Sequence, residues 1–107
     1  MDFQETLKQM LGAAQKAAGA HWNEVRDYFE KQLASAANAA KTLALEVANE
    51  VKTPAQAKIE LESLEIGLRD VRLALTVDAK AAAQEAINAA LDVLWGAVNT
   101  AAGVKII

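Results

Sequence analysis

KTPAQAKIELESLEIGLRDVRLAL, residues Lys52 to Leu75, holds the clearest helix start in the 107-residue chain and two apolar rows on one helix. Thr53 and Pro54 suit an N-cap and a first helical position. Gln56, three residues after Thr53, completes the capping-box spacing that satisfies two orphan backbone donors. Beyond the cap, Leu61, Leu64, Leu68, Val71 and Leu75 recur at steps of three and four, a coiled-coil-like seam that requires a partner helix. A second row, Ile59, Ile66 and Leu73, falls nearly opposite the first when wound at 3.6 residues per turn. A helix apolar on two sides is normally sandwiched between neighbours. The segment is therefore expected either to sit centrally in its bundle or to complete its burial through another copy of the chain. The seam is assigned to the intrachain core, and Ile59, Ile66 and Leu73 to an interface with another helix. Glu62, Glu65, Arg69 and Arg72 lie on a strip between the rows. With Glu65 and Arg69 in the favourable acid-first i,i+4 order, that strip reads as a solvated face.

Composition says why a second copy is needed. Hydrophobic residues make up 53% of the chain and aromatics only 5%. About a quarter of all residues are alanine, well above ordinary usage. Alanine favours helix and lets helices approach closely, but each one buries little area. One domain of this length built on such a core is thin, and dimerisation is the simplest remedy. There is no cysteine, so disulfides and thiolate chemistry are excluded. The start, MDFQETLKQM, carries acids where a secretory signal carries bases, and Asp92 interrupts the most apolar C-terminal run. Neither a signal peptide nor a transmembrane segment of roughly 18 apolar residues is expected, and the default setting is cytoplasmic. Net charge is −3 and the 11 basic residues are scattered. Nucleic acid, which demands a concentrated positive footprint, is not an expected partner.

The rest of the chain reads as helix on either side. Over residues 2–18, Phe3, Leu7, Met10, Leu11, Ala14, Ala17 and Ala18 share one face. Gly12 and Gly19 fall on the other side, and Gly19 is the expected break, the alternative being one bent helix, since the apolar phase carries through it. Residues 20–51 carry Trp22, Val25, Phe29, Leu33, Ala36, Ala40, Leu43, Val47 and Val51 on one stripe, which Lys52-Thr53-Pro54 ends because the residue before proline avoids the α region. After the segment 54–75, Asp78 is a candidate cap for a helix over 78–102. Without a break there, residues 54–102 would form one helix of about 73 Å. The fold class is thus all-α, either an antiparallel helical hairpin or a bundle of three to four helices, completed by oligomerisation. Gly103 is a natural stop. The apolar end Val104-Lys105-Ile106-Ile107 either docks on a neighbouring subunit or is disordered.

No constellation carries catalytic chemistry. A ferritin-like metal-binding bundle is kept as a second alternative function, although such bundles use Glu-x-x-His motifs. The only histidine, His21, is followed by Glu24 in the reverse order, and Glu62 with Glu65 offers no nitrogen ligand. No metal or cofactor site is assigned. Ser35 and Ser63 have only His21 as a conceivable base, and the pairs Glu46 with Glu50 and Glu60 with Glu62 are ordinary on solvated helices. The expected function is non-enzymatic: a self-associating helical scaffold, most simply a dimer, with a helical protein as a further possible partner. The alternative is a coat of amphipathic helices on a lipid or other hydrophobic surface. Its polar faces, however, mix charge signs where anionic membranes select lysine and arginine.

Overall fold

A computed structural model describes residues 2–70 and 76–107. Among the described residues are four α-helices: α1 (Phe3–Ala18), α2 (Trp22–Ala48), α3 (Pro54–Asp70) and α4 (Val77–Ala102). The single-hairpin form with one helix over 54–102 is thereby excluded, and the bundle form is the one adopted. The molecule measures 43 × 24 × 18 Å, so its length is close to the roughly 40 Å that α2 spans at 1.5 Å per residue.

Local chemistry sets each boundary. Asp2 caps α1, its carboxylate accepting from the N–H groups of Gln4 at 3.0 Å and Glu5 at 3.3 Å. Gly19 ends α1 at a φ of 56°, and one 3-10 turn, Gly19–His21, leads into α2. The chain then folds back, and α1 packs along α2.

The α2 terminus differs from expectation. Its helix stops at Ala48, and Glu50 takes the left-handed conformation with φ 60°. The Val51 N–H donates to the Glu46 carbonyl at 2.7 Å and the Glu50 N–H to that of Val47 at 3.1 Å. These are the two bonds of a Schellman motif. Val51, placed by its spacing on the buried stripe, is consequently 69% exposed, because the helix has ended before it.

The capping box at the start of α3 forms as read. The Thr53 N–H donates to Gln56 Oε1 at 3.0 Å, and the Gln56 N–H donates to Thr53 Oγ1 at 3.2 Å. The cap of α4 is Thr76 rather than Asp78: its hydroxyl accepts from the Ala79 N–H at 3.4 Å, and residue 78 already belongs to the first turn.

The core lies among α1, α2 and α4. The most extensive packing is α1 on α4, followed by α2 on α4 and α1 on α2. The broad face of α4 buries Ala79, Ala82, Ala83, Ala86 and Ala90 with Ile87, Leu91, Leu94 and Val98. Met10, Val25, Phe29 and Leu33 supply bulk from α1 and α2, and Trp22 stacks on Phe29 with ring centroids 6.4 Å apart.

Of the two placements expected for α3, the central one is not adopted. The helix leans on α2, touches α4 lightly, and among its described residues buries only Ala57, Leu61 and Leu68, with Leu64 half-buried. The physical reason is that the alanine faces of the other three helices close on one another, leaving no central slot. Val71, Leu73 and Leu75 lie outside the described residues.

The C-terminal residues are ordered and fold back on their own helix. Gly103 turns the chain at φ 76°. The Asn99 side-chain oxygen then accepts from the N–H groups of Ile106 at 2.7 Å and Ile107 at 3.2 Å, and the Ile106 side chain is buried.

Candidate functional site

The loose seating of α3 leaves a groove along its junction with α2. The two helices run antiparallel about the turn at 49–53. Residues equidistant from Thr53 therefore face each other, and Glu46 and Glu60, each seven positions from it, meet across the groove. Between them lies Lys52, its ammonium 2.7 Å from Glu60 and 3.5 Å from Glu46. The hydrogen bond to Glu60, reinforced by the charge of Glu46, raises the pKa of Lys52 against the opposing effect of desolvation. The two carboxylates thus favour the cationic form of Lys52.

Beyond this clasp the groove opens to about 450 Å³, lined by Ala39, Thr42 and Leu43 from α2 and by Ser63 and Leu64 from α3. A smaller hollow of about 160 Å³ continues it past Ser35 and Ala36 on one wall and Gly67 and Leu68 on the other. Both hydroxyls on the rim of the larger part are turned inward on their own helices. Thr42 donates to the Asn38 carbonyl at 3.2 Å and Ser63 to that of Ile59 at 3.3 Å. The walls are small, leucines line the groove, and among the described residues its charges are at one end.

The interface residues read from the sequence stand on a neighbouring face of the same helix. Ile59 is 67% exposed and Ile66 62% exposed, and Leu73 lies outside the described residues. Among the described residues, nothing covers the two isoleucines. Between them and the buried seam, Arg69 bonds Glu65 at 3.0 Å, as the i,i+4 spacing implies.

The other chemical candidates stay apart. His21 Nδ1 is 3.1 Å from Glu24 on an exposed turn, and among the described residues no three histidine, aspartate or glutamate side chains gather to hold a metal ion. Ser35 and Ser63 line the groove without a bond to His21. Glu50 and Glu62 are exposed and take no part in the clasp. A second groove, between α1 and α2, carries Lys8, Trp22 and Arg26. Its arginine is already bonded to Glu30 at 2.9 Å, and that bond raises the Arg26 pKa. None of the described helices is long and apolar enough to cross a membrane.

The Lys52 clasp and the groove were missed by sequence reasoning. The available signal was the symmetry of Glu46 and Glu60 about the Thr53-Pro54 turn. It becomes visible only once the two flanking helices are paired antiparallel. Comparison with protein-family models, curated proteins and solved structures gives no match.

Proposed function

We propose that this protein is a non-enzymatic helical scaffold that associates with further copies of itself through the outer face of α3. The observation that carries the reading is the exposure of Ile59 and Ile66, one heptad apart on a single helix face. The apolar faces of α1, α2 and α4 are spent on the internal core, which leaves little continuous apolar helix face for adsorption to a lipid surface. The α3 row is the exception, and its regular spacing suits a helix better than a fluid interface. Catalysis has no part in the reading: the cation in the groove is paired with two carboxylates, and the Ser63 hydroxyl bonds its own helix backbone.

Size-exclusion chromatography with light scattering at micromolar concentration tests it. The native chain should elute with the mass of two or more copies, and Ile59→Glu combined with Ile66→Glu should elute as a single folded chain. A native protein that is a monomer throughout the concentration range would overturn the proposal.

A further inference from the structure

We infer that the α2–α3 groove is the seat of the Ile59–Ile66 row of a second copy, in a parallel twofold pairing of α3 with α3. This rests on the self-association proposed above and names the surface that the row enters.

Area is the first argument. Two isoleucines meeting their counterparts would bury far less than the roughly 800 Å² per partner of a stable interface. Insertion into the groove adds its leucine floor and small-residue walls. At 100° per residue the row lies about 80° around α3 from the wall formed by Glu60, Ser63 and Gly67. A parallel twofold therefore turns the row of each copy toward the groove of the other, and one isologous contact closes both.

Spacing is the second. The groove has two open levels, one where Gly67 faces Ser35 and Ala36, and one where Glu60 and Ser63 face Ala39 and Thr42. Seven residues separate Ser35 from Thr42 on one wall and Gly67 from Glu60 on the other, which is about 10.5 Å of helix. Ile59 and Ile66 are also seven apart, so in register each isoleucine meets one level. At Gly67 a side chain would meet no atom within 4 Å, so the hollow there is open to a knob from outside.

Charge selects the direction. Glu46 and Glu60 share one ammonium, leaving surplus negative charge at that end of the groove. Lys58, beside Ile59, is exposed and makes no ion pair among the described residues. Parallel pairing brings the partner's lysine at this position to the acidic end. Antiparallel pairing would carry it to the uncharged end at Gly67.

Gly67→Leu is the direct test, because it fills the hollow without touching the row. Within one chain the new side chain points into open space, and leucine is the better helix former. The variant should stay helical by circular dichroism, melt no lower than the native chain at matched subunit state, and run as a single chain in light scattering. Ser35→Leu, from the opposite wall, should do the same. Lys58→Glu should weaken association more at low salt than at high salt. If both groove-filling variants remain associated while the Ile59→Glu, Ile66→Glu protein does not, the groove is not the seat and self-association through the row stands. If the native chain itself is monomeric, both proposals fall. An unchanged association on Lys58→Glu would overturn the parallel direction.

Discussion

Glu50 holds a backbone conformation that a side chain disfavours. The left-handed region costs a non-glycine residue about 1–2 kcal/mol, and the Schellman bonds at the end of α2 require it there. Glu50→Gly removes that strain but adds about 0.5–1 kcal/mol of unfolded-chain entropy. A net gain of about 0.5–1 kcal/mol is expected, read as a higher urea midpoint with an unchanged slope. The opposite sign would mean that the Glu50 side chain contributes something its exposure conceals. At this scale the sequence was legible where a residue type announces its geometry. Thr53, Pro54 and Gln56 spell the capping box, and Gly19 and Gly103 mark their turns. Glu50 announces nothing, because the position that normally takes glycine holds an ordinary charged residue. Asp78 misled for the related reason that Thr76, two positions earlier, is an equally competent cap.

Among the elements, α3 is held by the least. Leu61 is fully buried where α3 meets its neighbours. Leu61→Ala should cost about 2–5 kcal/mol by the general rule for such truncations. The low end is expected, because a site bordering a groove can relax. Hydrogen exchange would report the loss first in the α3 amides, ahead of those in α1 and α4, since local opening follows the number of buried contacts. Loss of protection spread evenly over all four helices would show that α3 is integral to the core. The two rows on this helix were readable because their periods differ in phase by half a turn. What covers each row was not readable, since periodicity identifies a face that needs shielding without naming the neighbour. The central position, one of the two placements open to α3, was excluded on that point: its neighbours were already satisfied by one another. The groove was invisible for a similar reason, as it arises from how two helices diverge.

The molecule as a whole is built on close approach. Its largest face, on α4, buries five alanines between residues 79 and 90, and such a seam tolerates extra volume poorly. Ala86→Leu should destabilise by about 1–3 kcal/mol through overpacking, measured by denaturant unfolding followed at Trp22 and Trp95. A neutral result would mean that the seam is slack. The all-helical class and the alanine-rich seam follow from composition. The pairing order of the helices does not, because alanine faces are nearly interchangeable in sequence and only the completed packing distinguishes them.

That pairing order bears on how the protein is made. Helix α1 finds its most extensive neighbour in α4, the last made of these four, with α2 and α3 between them. A nascent chain arrested after the third helix would hold amphipathic rods with their greasy sides unspent, because ring closure over that span must precede the contacts that reward it. Acquisition of the native state should therefore be deferred until α4 has been made and complete in one cooperative step. Helix-by-helix compaction inside the exit vestibule is not expected.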